Sequence, residues 1–238
     1  MTLGRPRLYL LDVEGTTSPV SLVYEQLFPY ARKHLKAFLI EHGGELEIEA
    51  DLALLAAENG VEAAEDVPRF AVGDGPDQAE AYLLWLMDRD RKSTALKSLQ
   101  GRIWKSGYLA GELVGTVFDD VPAALARWSR EAAVAIYSSG SVEAQKLLFR
   151  YSSVGDLTPY ISGYFDTRIG AKTAAESYRA IAAAMGVSTN EVIFVSDLLR
   201  ELEPAREAGC MTRLSVREGN QAVTDRQEHV AIESFAEI

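Results

Sequence analysis

Leu-Tyr-Leu-Leu-Asp-Val-Glu-Gly-Thr-Thr, residues 8–17, is the stretch of sequence that indicates the fold. Its four large apolar residues follow one another without polar alternation, which is typical of a strand buried on both faces of a parallel sheet. The apolar run ends at Asp12, and Glu14 follows just before the turn residue Gly15. Ligands bind at the carboxyl ends of the strands in open parallel sheets, where a carboxylate can hold a hard cation or attack an electrophile. An isolated Asp-x-Glu is more often a solvated acidic turn, so its function depends on the rest of the chain.

Composition narrows the class of protein. The chain has 238 residues, of which 47% are hydrophobic and 25% charged, as in a soluble globular protein with a sizeable core. Its net charge of −11 argues against a nucleic-acid-binding surface. No apolar run approaches the ~20 residues of a membrane span, and residues 1–12 lack the features of a signal peptide. The lone cysteine, Cys210, excludes an internal disulfide. We therefore expect a cytoplasmic protein that binds neither nucleic acid nor membranes.

The periodicity of the chain predicts a helical module inserted into an α/β core. Apolar residues recur at helical spacing, without a convincing strand, over 22–42, 45–58, 77–92 and 93–109. Buried strands then alternate with helices, which implies right-handed crossovers and a doubly wound, Rossmann-like parallel sheet. We expect this core to comprise residues 1–17 and 116–238, with the helical cap domain at 18–115. Within the core, we predict a short extended piece at Val117–Phe118, a capping box at Thr173–Glu176, and a helix with Pro204 in its first turn.

Three further polar features follow strands or precede helices in the core. Ser138 and Ser139 end the strand 134–138 and precede a helix, where free N–H groups and the helix dipole favour an anion. Lys172 directly precedes the helix with the predicted capping box, where an ammonium can neutralise a phosphoryl group. Asp197 ends the strand 192–195 and would lie beside Asp12 if the two strands are adjacent. Converging carboxylates repel each other, and Mg²⁺ between them would remove that penalty.

Each of these features has an ordinary structural explanation. A Ser-Ser-Gly-Ser sequence is a common loop and helix cap, and most lysines are solvated surface residues. Glu201, four residues after Asp197, is better suited to orienting the site or pairing with a basic side chain than to binding metal. Nevertheless, acids or hydroxyls follow three strands in a consistent order, and a joint coincidence is improbable.

The apolar strand followed by Asp-x-Glu-x-Thr, with the three downstream pieces in order, resembles the haloacid dehalogenase-like superfamily. Longer stretches resemble one of its families, the enolase-phosphatases of methionine salvage, also called acireductone synthases. Glu14, where most of the superfamily has Asp, is itself a mark of this family, although Thr116 stands where its members often carry His. The stretches that carry the resemblance are Asp12–Thr17 with Leu27–Tyr30, Asp90–Lys97 with Leu99–Trp104, Ile136–Lys146, Phe165–Gly170 and Ser196–Leu202.

The resemblance implies the activity and the role of each site residue. It implies conversion of 2,3-diketo-5-methylthiopentyl-1-phosphate to its enol phosphate, and then, through an aspartyl-phosphate, to acireductone and phosphate. Asp12 would be the nucleophile, Glu14 the general acid/base, and Lys172 a further catalytic residue. Ser138, Ser139 and Lys172 would bind the substrate phosphate. Asp12, Asp197 and Glu14, the last through its backbone carbonyl, would bind Mg²⁺.

Other functions remain open on the same scaffold. One is a phosphatase for another small phosphate ester, with the cap domain deciding specificity. Another is a catalytically silent binding protein, which retention of Asp12, Glu14, Lys172 and Asp197 together disfavours. A dehalogenase would have no use for Glu14 or for a metal. In each enzymatic case we expect a monomer acting on a small molecule.

Overall fold

The computed structural model describes residues 5–223, 226 and 228–238. The chain divides into two compact units, one formed by the described residues up to Val23 and from Val114 onwards, the other by Tyr24–Leu113. These divisions, at 23/24 and 113/114, lie a few residues from the limits expected from sequence. The assignment of 1–17 with 116–238 and of 18–115 as functional domains stays a prediction.

The unit formed by residues up to Val23 and from Val114 onwards contains, in its described part, one parallel sheet with strands in the order β3-β2-β1-β4-β5-β6. This is the doubly wound, Rossmann-like order, and it confirms the predicted fold class. Leu11 at the end of β1 is paired with Ile136 of β2 and with Val195 of β4, so the residues after these strands emerge side by side. The strands are β1 (Leu8–Leu11), β2 (Ala133–Tyr137), β3 (Gly163–Phe165), β4 (Val192–Ser196), β5 (Met211–Ser215) and β6 (Val230–Ile232).

Helices cover both faces of this sheet, which explains why its strands are continuously apolar. Helices α7 (Ala175–Ala184) and α8 (Leu199–Glu207) bury Leu8, Leu10 and Phe194 on one face. On the other face, Tyr9 stacks on Trp128 of α5 (Val121–Trp128), with ring centroids 4.2 Å apart. Helix α6 (Val142–Arg150) follows β2 along the chain. Full burial of a side chain such as Phe194 contributes about 1.5–3 kcal/mol, and the summed contacts hold the central strands rigidly.

The inserted unit, Tyr24–Leu113, is helical throughout its regular structure and has a core of its own. Leu35, Leu55, Leu83 and Leu99, one from each helix, are fully buried in this core. A π-helical segment, Leu22–Leu27, leads directly into the first helix. The helices are α1 (Phe28–His42), α2 (Leu46–Val61), α3 (Pro76–Asp88) and α4 (Thr94–Leu109). None of the helices in the described part of the chain combines the length and apolarity needed to cross a membrane.

Two local predictions about the core were wrong. The helix after Lys172 begins at Ala175 and its cap residue is Ala174, which has no side-chain acceptor, so Thr173–Glu176 does not form a capping box. Pro204 lies inside α8 rather than in its first turn, because that helix already begins at Leu199. Both errors concern the exact end of an element, which packing decides more than local sequence does. Val117–Phe118 lies outside the helices and strands of the described residues, and the short extended piece expected there stays a prediction.

Candidate active site

Asp12 lies at the carboxyl end of the central strand, where the strand order reverses between β1 and β4. Its N–H donates to the Val195 carbonyl (3.0 Å), which keeps its backbone in the sheet. The carboxylate is 2% exposed, and its Oδ1 accepts the Val13 N–H at 2.7 Å. The next residues form a tight turn in which the N–H of Thr17 donates to the Val13 carbonyl. Gly15 has a φ of +69°, a conformation that favours glycine, so the Asp-x-Glu-Gly sequence folds as a unit.

Lys172 links Asp12 to Glu201 in a buried charged network. Its Nζ lies 2.6 Å from Asp12 Oδ1 and 2.5 Å from Glu201 Oε2. The Ser196 hydroxyl lies between the two acids, 3.2 Å from Asp12 Oδ2 and 2.9 Å from Glu201 Oε2, and donates its one proton to either. The three ionisable side chains are each less than one tenth exposed. Such a network is stabilising only while its charges stay matched.

Tyr178, in α7, fixes the backbone that carries this network. Its hydroxyl lies 2.7 Å from the Lys172 carbonyl and 2.9 Å from the Glu201 carbonyl. The ring is buried and packs edge-on against Phe194 of β4. The sheet core therefore positions both Lys172 and the start of α8.

Glu14 and Ser138 meet on the other side of Asp12. The Ser138 hydroxyl donates to Glu14 Oε2 at 3.4 Å and accepts the Gly140 N–H at 3.1 Å. Ser138 is buried, whereas Ser139 is exposed. The Gln145 amide donates to the carbonyls of Gly140 and Phe165, both at 2.9 Å, and so ties the Ser138–Gly140 loop to β3. This loop ends at the N-terminus of α6, where an anion is favoured.

Three acidic side chains of the site, Asp197, Glu201 and Glu14, have raised pKa values. Burial, and then the charge of Asp12, raises the pKa of Asp197 to about 7. The same two causes raise the pKa of Glu201 to about 7, although Lys172 opposes them. Burial also raises the pKa of Glu14, again with a contribution from Asp12. By itself, burial lowers the pKa of Lys172, but Asp12 and Glu201 outweigh it and leave that pKa above its usual range. A carboxyl with a raised pKa can keep a proton for transfer near neutral pH.

Asp197 approaches the turn after β1 closely enough to share a cation with it. A Cβ added to Gly15 would lie 2.5 Å from Asp197 Oδ2 and 2.8 Å from Asn220 Oδ1. The latter oxygen is buried and has no hydrogen-bond partner among the described residues. In that same part of the chain, no three His, Cys, Asp or Glu side chains are clustered as a metal site. Mg²⁺ does not require such a cluster, because it takes a few protein oxygens and retains waters. Two carboxylates and the Glu14 carbonyl fit that ion, and the unpaired amide oxygen lies beside them.

Comparison with known proteins shows the family of this chain. Residues 6–209 match the family model described as a haloacid dehalogenase-like hydrolase. The chain is 52% identical to an enolase-phosphatase E1 of Synechococcus elongatus and 46% identical to one of Pseudomonas aeruginosa, in both cases over 96% of each chain. It belongs to the enolase-phosphatase family of haloacid dehalogenase-like hydrolases. The expected family is confirmed.

Solved structures support the fold of this enolase-phosphatase family member. The UTR4 protein of Saccharomyces cerevisiae is 34% identical and superposes with a TM-score of 0.80, covering 98% of this chain and all (100%) of that one. A dehalogenase that is only 20% identical superposes with a TM-score of 0.55, and the match covers 98% of this chain and 95% of the dehalogenase chain. At that identity the second likeness shows the fold alone.

Within this enolase-phosphatase framework, the structure brings most of the predicted residues together. Asp12 contacts Lys172, and Glu14 contacts Ser138. Asp197 lies against the same turn at Gly15. Ser139 follows Ser138 at the exposed rim of the loop, and the roles of all six residues stay predictions. Cys210 is buried just before β5, and burial raises the pKa of its thiol to about 12, as suits a core residue.

Sequence reasoning missed four residues that hold the site, namely Ser196, Tyr178, Gln145 and Asn220. Ser196 directly precedes Asp197 and was available as a signal, because a serine that ends a buried strand needs a polar partner. Tyr178, Gln145 and Asn220 act through contacts with distant segments of the chain. Their sequence neighbourhoods carry no signal of those contacts.

Proposed function

We propose that this chain is a Mg²⁺-dependent enolase-phosphatase of methionine salvage. It converts 2,3-diketo-5-methylthiopentyl-1-phosphate to its enol phosphate and then to acireductone and phosphate. The observation that carries this proposal is the convergence of Asp12, Lys172, Glu14 and Ser138 at the end of the central strand. Membership of the enolase-phosphatase family adds the enolisation step, which the site geometry by itself does not specify.

Phosphate release uses Asp12 as the nucleophile. A carboxylate oxygen attacks phosphorus, an aspartyl-phosphate forms, and the bond between phosphorus and the substrate oxygen breaks. Lys172 holds the carboxylate at 2.6 Å and offers positive charge to the phosphoryl oxygens. Ser138, Ser139 and the N–H groups at the start of α6 bind the phosphate. Water then cleaves the aspartyl-phosphate and regenerates Asp12.

Glu14 moves the protons. Its raised pKa suits a group that gives a proton to the leaving oxygen and then accepts one from the attacking water. Enolisation needs no nucleophile, but it needs a base that takes a proton from carbon. Glu14 is one methylene longer than the superfamily's usual Asp, and we assign it this step as well. Ser138, whose hydroxyl donates to Glu14 Oε2, orients the carboxylate for both steps.

Asp12, Asp197 and the Glu14 carbonyl would hold Mg²⁺. The ion supplies an electrophile for the phosphoryl oxygens and for the substrate carbonyl. Asp197 is half-buried beside the Gly15 turn, and burial, followed by the charge of Asp12, raises its pKa. A divalent cation at this position would offset the repulsion between the two carboxylates.

The remaining predictions about this enzyme are part of the same proposal. The helical residues 18–115 act as the cap domain that selects the substrate. The enzyme works as a cytoplasmic monomer on a small phosphorylated molecule. A phosphatase for another small ester is the second candidate, since the core chemistry does not depend on the substrate tail.

The test is to incubate the purified protein with the diketo phosphate and Mg²⁺ while recording both inorganic phosphate and the ultraviolet absorbance of the enol. We expect both signals, and we expect a chelator to abolish phosphate release reversibly. Phosphate release only from generic esters would favour the second candidate. No release from any ester would favour a silent binding protein.

The Asp12→Asn variant separates the two steps. It removes the nucleophile but keeps one oxygen for the cation, so we expect enol without phosphate. Glu14→Gln should impair both steps. Asp156→Asn is the matched control, because that exposed carboxylate only caps the turn at Thr158 in the same unit. Normal phosphate release by Asp12→Asn would refute the aspartyl-phosphate mechanism.

A further inference from the structure

The loop after β5 reaches back to the turn that carries Asp12 and Glu14. The Gly15 carbonyl accepts two hydrogen bonds from this segment, at 3.0 Å from the Ser215 hydroxyl and at 2.8 Å from Asn220 Nδ2. The same amide nitrogen also lies 3.3 Å from the Ser215 carbonyl. Both partners of the amide nitrogen are carbonyl acceptors, which fixes the orientation of the Asn220 amide.

With the nitrogen so fixed, the amide oxygen of Asn220 faces the cation side of the turn. Asn220 Oδ1 and Asp197 Oδ2 lie 2.8 and 2.5 Å from a single point, the place that a Cβ on Gly15 would occupy. Glycine at this position therefore lets an amide oxygen and a carboxylate approach the space that a Cβ would occupy. A larger residue would push them apart.

Among the residues that the structure describes, the amide oxygen has no hydrogen-bond partner. Asn220 Oδ1 is buried without a hydrogen bond there, and so are Thr16 Oγ1 beside Gly15 and Arg217 Nε on the same loop as Asn220. Leaving a buried acceptor unpaired costs about 1–3 kcal/mol, so an orphan oxygen beside a charged site calls for a ligand. The hydrogen bond to the Gly15 carbonyl uses only the amide nitrogen of Asn220. It does not explain why the amide oxygen is buried beside the charged site.

We infer that Asn220 is a positioning residue of the cation site, whose amide oxygen accepts a hydrogen bond from a water carried by bound Mg²⁺. Magnesium retains several waters in proteins, and outer partners of this kind orient them. The inference rests on the proposed Mg²⁺ dependence. It adds Asn220, which lies outside the Asp-x-Glu stretch and the three downstream features identified from sequence, and which acts through water rather than by direct ligation.

The experiment measures Mg²⁺ affinity by titration calorimetry, and separately the Mg²⁺-dependent rise in unfolding temperature. Asn220→Ala removes the nitrogen and the oxygen together. Loss of an outer partner typically weakens metal binding 10–100-fold, so we expect at least a tenfold rise in Kd for this variant. Ser215→Ala is the matched control, because it removes the other donor to the same Gly15 carbonyl and leaves the amide oxygen in place. We expect less than a threefold change in Kd there.

Asn220→Asp distinguishes the role of the amide oxygen from that of the hydrogen bond between the amide nitrogen and the Gly15 carbonyl. It keeps an acceptor oxygen, loses the amino donor, and adds a negative charge that can only favour a cation. We expect Mg²⁺ to bind this variant at least as tightly as the wild type. If Asn220→Ala does not fold, the result for Asn220→Asp decides by itself.

Three results would overturn the inference. The first is unchanged Mg²⁺ binding by Asn220→Ala, the second is equal weakening by Ser215→Ala and Asn220→Ala, and the third is weakened binding by Asn220→Asp. Failure of the proposed function gives a different result, since the wild type itself would then neither bind Mg²⁺ nor release phosphate.

Discussion

Replacing Lys172 with methionine tests whether the buried network behaves as one electrostatic unit. Methionine keeps an unbranched apolar side chain and removes the ammonium that lies 2.6 Å from Asp12 and 2.5 Å from Glu201. Two carboxylates, 2% and 6% exposed, are then left without a cation. Removing one partner of a buried pair costs about 3–5 kcal/mol, because the other charge stays desolvated.

Protonation sets an upper limit on this cost. At pH 8, protonating a carboxyl with an ordinary pKa of about 4.3 costs about 5 kcal/mol, at 1.36 kcal/mol per pKa unit. Each acid therefore destabilises the folded protein by no more than about that amount before it takes up a proton. We expect Lys172→Met to lower the free energy of unfolding by about 4 kcal/mol in metal-free buffer at pH 8. At that pH, Glu201 is above its raised pKa of about 7.

The decisive quantity is the difference between the effects of Glu201→Gln in the two backgrounds. In the wild type this change removes a charged acceptor of Lys172, but it also removes a carboxylate whose ionised form is disfavoured by burial and by Asp12, so its net effect at pH 8 should be neutral to stabilising. In Lys172→Met the favourable contact with the ammonium is already gone, so the same change should stabilise the protein by about 2–3 kcal/mol more, the contribution of a hydrogen bond to a charged group. The coupling energy of the double-mutant cycle is then about 2–3 kcal/mol.

The assay is urea unfolding with linear extrapolation, run beside phosphate release. The double variant should regain stability but not activity, since it still lacks the cation that faces the phosphoryl group. Lys172→Met is expected to lose about 10²–10³-fold in turnover, as when one oxyanion donor is removed. Lys146→Met, at an exposed lysine of α6, is the control and should change stability by about 0.5 kcal/mol or less. An equal effect of Glu201→Gln on the free energy of unfolding in both backgrounds would refute the electrostatic unit.

Two further changes probe the supports of the site. Asp120→Asn weakens the acceptor of hydrogen bonds from Arg217, Ser234 and the Phe235 N–H. It should lower the free energy of unfolding, measured with urea at pH 7, by about 2–3 kcal/mol. Those donors outweigh burial and lower the pKa of Asp120 from 3.8, so the wild type has this stabilisation fully above that value and loses it as the pH falls below it. The stability of the variant should depend less on pH in that range, and identical pH profiles would contradict the assignment. Gly15→Ala adds a Cβ at 2.5 Å from Asp197 and strains a φ of +69°, so Mg²⁺ affinity measured by calorimetry should fall at least tenfold; unchanged affinity would place the cation elsewhere.

The sheet and its order along the chain could be predicted from sequence because strands buried on both faces leave long apolar runs. The apolar runs that end at Asp12, Ser138 and Asp197 are β1, β2 and β4, and β1 lies between the other two, so the adjacency on which the meeting of Asp12 and Asp197 depended is present. The capping box of the helix after Lys172 was predicted wrongly, because the cap residue Ala174 provides no side-chain acceptor.

The supporting contacts could not be predicted, since they join segments that are far apart in the sequence. Asn220 and Ser215 meet Gly15 across some 200 residues, and such a contact leaves no periodic pattern. Gly115 gives another example. A Cβ there would lie 2.1 Å from the Leu148 carbonyl oxygen, so glycine is required by a close backbone approach that the sequence does not reveal.

The charges of the site explain why a divalent cation belongs with this arrangement of residues. Asp12, Glu14, Asp197 and Glu201 contribute four carboxyl groups, and Lys172 already pairs with two of them. A phosphate ester entering such a site brings further negative charge, and the net charge of −11 offers no attraction from the rest of the chain. Burial raises the pKa values of Asp197 and Glu201, and repulsion by Asp12 adds to this effect. Protonating those acids would relieve the repulsion, but Asp197 would then be a poorer ligand for the proposed cation. In the proposed mechanism, Mg²⁺ held by Asp12 and Asp197 would offset that repulsion and would also supply positive charge to the phosphoryl oxygens, while Lys172 stays paired with Asp12.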